Sequence, residues 1–283
     1  MKFGVYQLIW APSPSDQTLA ETGRHAKSLG ADVLEIAISR DPLPFDSRAL
    51  RGALADAGIE ATLVTTLNAE RDIGSPDPEV RRTGMAYMRR YLEHAAALGS
   101  PILSGPFFGP VWNPTLLSPR SRADRWARCV EALSSLAHDA KRLEVRIAVE
   151  PLTRFHTAFL NTTADACRLI DEINHSQVGI LFDTFQMNVE EKDLGAAIRL
   201  AGPRLFHVHA SENDRGTPGS GHVDWRGVVS ALKDIHYDGR LIIEAFNPDN
   251  PDLANFVKVW RRLEVDQDTL ARNGLRFLRS LFN

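Results

Sequence analysis

A chain of 283 residues with a formal net charge of −3 lacks the basic excess that a nucleic-acid-binding domain uses to hold phosphates. Its 43% hydrophobic and 24% charged content is ordinary for a soluble globular protein, and no run of about 20 apolar residues is present to span a bilayer. The two cysteines, Cys129 and Cys167, suggest no disulfide framework and a reducing compartment, so the cytoplasm is the expected location.

The N-terminal stretch MKFGVYQLIWAPSPSD is apolar only briefly, and Gly4, Tyr6 and Gln7 interrupt it. It reads as a first strand, FGVY (3–6), rather than a signal peptide. SDQTLAETGRHAKSLG (15–30) then opens on Ser15 and Asp16 and closes on Gly30, the cap pair of a helix. The alternation continues with strand VLEIA (33–37), helix SRALRGALADAG (47–58), strand TLVTTL (62–67) and the helix over 77–100, which opens on Asp77-Pro78. Strand PILSG (101–105), helix 121–143, strand RIAVE (146–150), helix 162–174 and strand VGILFD (178–183) come next. Helix 190–202, strand LFHVHA (205–210), helix 224–239, strand LIIEAF (241–246) and a final amphipathic helix over 269–282 complete the series.

Strands that read as near-continuous apolar runs suit a parallel sheet covered on both faces. Strict strand–helix alternation suits βαβ units, and eight of them suit a closed (β/α)8 TIM barrel. A doubly wound sheet would carry a glycine-rich turn after its first strand, and YQLIWAPSPSD has no glycine. No linker or low-complexity tract divides the chain, so residues 1–283 are expected to form one barrel domain.

In such a barrel the C-terminal strand ends build the active site. There the sequence places Glu150, Asp183, His209 and Glu244, on strands five to eight, with His207 two residues before His209 on the same strand face. Any one of these is ordinarily a loop cap or a satisfied structural histidine. Four converging together have to be neutralised, and a divalent cation does so. Three carboxylates and one imidazole suit Mn²⁺, Mg²⁺ or Co²⁺ better than thiol-seeking metals. Such an ion polarises a sugar carbonyl and acidifies the neighbouring C–H. Glu150 and Glu244 flank the other two ligands and can remove a proton and return it to the opposite face, giving epimerisation. Return to the adjacent carbon gives isomerisation. The glycines at 216, 219 and 221 lack the strand–loop–helix setting of a phosphate loop and read as a flexible active-site loop. Trp10, Phe107, Phe108 and Trp112 are placed to stack on a sugar or to close the barrel mouth, and Arg154 and His222 to touch substrate or fix loops.

The motifs VEPLTRF, LFDTFQMNVEE, HVHASENDRGTPGSGHVDW and IIEAF resemble those of the xylose-isomerase-like TIM-barrel sugar isomerases and epimerases, above all the ketose 3-epimerases. The resemblance covers nearly the whole chain. It implies a metal-dependent epimerase acting at C3 of a ketose through an enediolate. Glu150, Asp183, His209 and Glu244 would be the ligands of one cation, Mn²⁺ foremost, and Glu150 and Glu244 the acid–base pair. Arg215 would contact substrate, Tyr6 and Trp112 would pack on the sugar, and a homodimer or homotetramer is implied. Two positions depart: Gln186 stands where the family has histidine in DTFHMN, and His156 where it has glutamate. Both family residues contact oxygens near the reactive carbonyl, so the exchange points to a different orientation or sugar. The alternative within the superfamily is a 3-keto glycoside, epimerised at C4 or losing its aglycone by elimination. A three-zinc DNA-repair nuclease would need further histidines that LEIAI, TTLNAE and LSGPF do not supply. A sugar-binding protein without catalysis would not need both glutamates.

Overall fold

The computed structural model describes residues 1–10, 14–112 and 114–282. Within these, parallel strands close a barrel in chain order: β1 Lys2–Tyr6, β2 Val33–Ala37, β3 Glu60–Val64, β4 Ile102–Gly105, β5 Arg146–Val149, β6 Val178–Asp183, β7 Leu205–His209 and β8 Arg240–Ile243. The ring shuts where β1 pairs with β8, Phe3 opposite Leu241 and Val5 opposite Ile243. The single TIM barrel expected from the alternation is the observed fold.

The main helices begin where side chains satisfy their first free N–H groups. Ser15 and Thr18 form a reciprocal capping box at α1 (Asp16–Ser28). Asp46 caps α2 (Ser47–Asp56), Asp77 caps α3 (Pro78–Leu98) and Ser118 caps α4 (Pro119–Arg142). Thr162 caps α5 (Thr163–Ile173). Two short helices were not expected: α6 (Thr184–Glu190), and α9 (Pro251–Val257), whose cap is Asn250. With α6 in place, the helix expected over 190–202 is shorter, α7 (Leu194–Ala201), capped by Asp193. Asp224 and Asp266 cap α8 (Trp225–Asp234) and α10 (Gln267–Ser280). Leu270, Leu275 and Leu278 of α10 are buried, and the helix covers the β1–β8 seam.

Strand alternation sorts the core into two layers. Leu34, Ile36, Leu63 and Ile147 point outward into the apolar layer beneath the helices. Val33, Val64 and Ile242 point into the barrel with Tyr6 and Phe246. The interior is tight: a Cβ on Gly4 would stand 2.6 Å from the Ile242 side chain and from the Val33 backbone. Glu35 shares the inward face of β2 with Val33, which places a carboxylate inside the barrel beneath the site.

Candidate active site

Strand β5 stops one residue before Glu150. The Glu150 N–H still donates to Gly105 O at 3.0 Å, and Pro151 has no N–H with which to continue the ladder. Glu150 is thus presented at the strand tip, and Glu244 likewise stands just past the end of β8. Asp183 is both the last residue of β6 and the cap of α6: its Oδ1 accepts from Phe185 N at 2.9 Å. Capping occupies one oxygen; the other, Oδ2, is buried, accepts no hydrogen bond and has the Arg215 guanidinium beside it. One ligand atom each from Glu150, Asp183, His209 and Glu244 lies within 4.8 Å of the others, and all four residues are buried.

Arg215 stands beside this group in left-handed backbone (φ 68°), a conformation uncommon for a non-glycine residue. Its Nη1 donates to Glu244 Oε2 at 2.6 Å and lies 2.9 Å from Asp183 Oδ2. The two glutamates respond to their surroundings in opposite directions. Burial, and then the charge of Glu244, push the Glu150 carboxyl well above the usual range. Burial acts on Glu244 too, but Arg215 and His209 outweigh it and hold that carboxyl at about 2. Burial raises Asp183 to about 6 against the pull of Arg215. His209 is also buried, yet Glu35 and Glu244 raise it well above the ordinary imidazole value. Three crowded carboxyls and an imidazole, with ligand atoms within 4.8 Å of one another, are a donor set that fits a hard divalent cation.

Beneath the cluster, Glu35 ties the two histidines of β7 together. His207 Nε2–H donates to its Oε1 at 2.7 Å and His209 Nε2–H to its Oε2 at 2.6 Å, while Thr62 Oγ1 donates to Oε1 at 3.0 Å. Burial opposes the charge on Glu35, but the two histidines hold it ionised. With its Nε2 proton committed to Glu35, His209 turns Nδ1 toward Glu244 Oε2, 3.0 Å away. His207 therefore supports the site rather than joining it. Glu35 was missed in the sequence, although its signal was present: a charge between Leu34 and Ile36 in a buried strand requires a partner.

Glu150, His209 and Glu244 of the cluster form one wall of a cavity of about 400 Å³, a size that suits a small-molecule ligand. Tyr6, Trp112, His156, Gln186 and Arg215, the positions expected to meet substrate, all line it. Gln186 is fixed by its Oε1, which accepts from Thr153 N at 3.0 Å. Burial and then Arg215 lower His156 to about 4, so it is neutral at neutral pH. The Trp112 ring meets His156 edge-on at 4.0 Å and Phe256 of α9 at 5.6 Å. Burial and nearby Glu244 keep the Tyr6 phenol protonated.

Several other expectations resolve away from the cavity. Phe107 and Phe108 are fully buried in the core, and Trp10 donates from Nε1 to Asp268 at 2.8 Å. Arg154 pairs with Glu190 at 2.8 Å. His222 Nε2 lies 3.3 Å from Asn188 Nδ2, as a loop anchor. The loop at 216–221 is fastened rather than free. Buried Glu212 accepts from Gly219 N (2.8 Å), Val223 N (3.0 Å), Asn213 N (3.2 Å) and Trp225 Nε1 (2.8 Å). Removing it in Glu212→Ala leaves these donors unmatched and should lower stability by about 3 kcal/mol or more. An unfolding free energy from urea titration within about 0.5 kcal/mol of wild type would show the loop is held by something else.

A family model described as a xylose isomerase-like TIM barrel matches residues 24–281. A probable ketose 3-epimerase of Synechocystis sp. is 34% identical over 100% of this chain and 97% of its own length. A D-psicose 3-epimerase of Agrobacterium fabrum is 33% identical over 99% and 98%. The crystal structure of a D-allulose 3-epimerase from Methylomonas sp., solved in complex with D-allulose, superposes with a TM-score of 0.92 at 30% identity, covering 99% of this chain and 96% of that one. No helix among the described residues is long and apolar enough to cross a membrane. The chain belongs to the xylose isomerase-like TIM-barrel family, in its ketose 3-epimerase branch, and is an enzyme of the isomerase class.

Proposed function

We propose that the protein inverts C3 of a ketose by removing its proton on one face and supplying a proton on the other, with Glu150 and Glu244 serving one face each. The observation that carries this reading is the placement of two buried carboxyls, Glu150 just past β5 and Glu244 just past β8, in one cluster on the wall of the cavity. Glu150, Asp183, His209 and Glu244 would hold one divalent cation, with Mn²⁺ best matched to the donor set. When bound, such an ion supplies Lewis-acid polarisation of a carbonyl and its neighbouring hydroxyl.

The chain's own groups do the rest. Ionised Glu244 takes the hydrogen of C3 as a proton. The C–H electron pair forms the C2–C3 double bond, and the carbonyl π pair moves to oxygen, giving an enediolate. Protonated Glu150 returns a proton to the other face of C3, and the carbonyl reforms with inverted configuration. The reverse direction exchanges the two roles. Arg215 holds Glu244 in place and sets its charge. Tyr6 and Trp112 wall the sugar, and Gln186 and His156 face its oxygens. We also place the protein in the cytoplasm as a homodimer or homotetramer, in line with the reducing signature of its two cysteines and with the exposed side chains of Phe256 and Trp260.

A second reading rests on His156 and Gln186. Neutral His156 against Trp112 offers an additional base beside an aromatic wall, which suits C4 epimerisation of a 3-keto glycoside or loss of its aglycone. Incubation of the Mn²⁺-loaded protein in D₂O with free ketoses and 3-keto glycosides, followed by NMR, separates the two. Deuterium at C3 of a ketose with appearance of its epimer is the expected result. Reaction of the keto glycosides alone would replace it with the second reading, and sugar binding without exchange would mean a binding protein.

A further inference from the structure

The cavity has a second polar wall that the epimerase reading does not use. In a closed eight-stranded ring β2 and β3 stand across from β6 and β7. The loops after β2 and β3 bring Ser39, Thr66, Asn68 and Arg71 to the cavity on that side. Arg71 is half-buried and rigidly seated. Its Nε donates to Asn68 Oδ1 at 3.2 Å, its Nη2 to Ser39 O at 3.1 Å, and its guanidinium lies 4.1 Å over the Tyr87 ring. Ser39 is held in turn by Thr66, Oγ to Oγ1 at 2.8 Å. These contacts occupy one face of the fork and leave Nη1 uncommitted.

Arg71 differs in pairing from three other arginines at this end of the barrel. Arg215 faces Asp183 and Glu244, Arg125 faces Asp72, and Arg154 faces Glu190. Among the described residues no carboxylate lies within 4 Å of Arg71. A guanidinium is always charged and is held here by neutral acceptors and a ring face, with the geometry that recognises carboxylate or phosphate. A neutral sugar would leave that charge without a counterpart inside a largely apolar cavity.

Resting on the epimerase reading, we propose that Arg71, with Asn68 and Ser39 as its supports, is an anion-binding subsite, and that the substrate is a ketose with a carboxylate or phosphate on the carbon farthest from its carbonyl. With C2 and C3 at the Glu150–Glu244 pair, the sugar chain runs across the barrel and delivers its last carbon to the β2–β3 side.

The test compares a ketohexose, its 6-phosphate and the ketohexuronate with a C6 carboxylate, on wild type, Arg71→Gln and Arg71→Lys. One anionic sugar should exceed the neutral one in kcat/KM by about tenfold or more, through KM, and which anion wins identifies the group. The advantage should shrink as ionic strength rises, fall toward unity in Arg71→Gln and survive in part in Arg71→Lys. Calorimetric binding of the same three sugars to the metal-loaded protein reads the subsite without turnover. Equal handling of neutral and anionic sugars by wild type, or an anion preference that persists in Arg71→Gln, overturns the proposal. Anion-selective binding without C3 exchange would retain the subsite and discard the epimerase reading. Neutral turnover with no anion preference would do the reverse.

Discussion

Glu150→Gln and Glu244→Gln should each lower epimerisation by about 10³-fold or more, within the range that positioned acid–base groups supply, while both variants keep a measurable affinity for sugar. The more telling expectation is their asymmetry. Inversion requires proton traffic on both faces of C3, so loss of either carboxylate stops net conversion. The surviving glutamate still addresses one face, and it can exchange the C3 hydrogen of the epimer that presents that hydrogen to it. In D₂O, Glu150→Gln should therefore wash deuterium into one epimer and Glu244→Gln into the other, neither producing its counterpart. Metal content measured on each variant separates a lost base from a lost ligand, because glutamine retains one oxygen donor. Wild-type turnover in both variants would end the acid–base assignment. Exchange of the same epimer by both would end the division of faces.

The sequence displayed the barrel because its signals repeat. Eight apolar runs alternate with capped helices, and each boundary carries a residue whose chemistry forces it, such as Asp77 before Pro78 or Gly99 after α3 in left-handed backbone (φ 78°). The four clustered residues were equally legible, since a charge at the end of a buried strand has few places to go. The short helices were not. α6 starts on Asp183, so one side chain closes a strand, caps a helix and keeps an oxygen for the cluster. The final VGILFD run hides the second of these roles. The Asn250-Pro251 start of α9 did carry a cap signature, but seven residues give too little periodicity to read. Phe107 and Phe108 show the opposite limit: a position after a strand end says which end of the barrel a side chain occupies, not whether it points to the cavity or to the core. Glu35 was hidden for a third reason. Its partners lie 172 and 174 residues away on β7, and only closure of the ring brings them together.

That closure predicts how the protein takes up a cation. Burial raises Glu150, and raises Asp183 to about 6, so protons hold both sites as pH falls. His209, raised by Glu35 and Glu244, carries a proton near neutrality that Nδ1 must release before it can act as a ligand. The sign follows: a cation competes with the protons on Asp183 and on His209 Nδ1, so Mn²⁺ affinity should climb as pH rises through about 6, by roughly tenfold per pH unit for each proton displaced. Calorimetry in buffers of different ionisation enthalpy should show net proton release on loading, and less of it at higher pH. Glu35→Gln tests the support beneath the cluster. Without an ionised acceptor on Nε2, the His209 ring is no longer fixed with Nδ1 toward the ligands. Mn²⁺ affinity should fall by roughly 10- to 100-fold, as for other partners of metal-bound histidines. The same substitution removes one charge that raises His209, so proton release from that ring should fall as well. Loss of affinity together with loss of proton release distinguishes Glu35 as the group that orients His209 from one that merely fills the barrel, which would weaken binding and leave the proton count unchanged. Affinity independent of pH between 5 and 8, or wild-type binding by Glu35→Gln, would remove His209 Nδ1 from the ligand set.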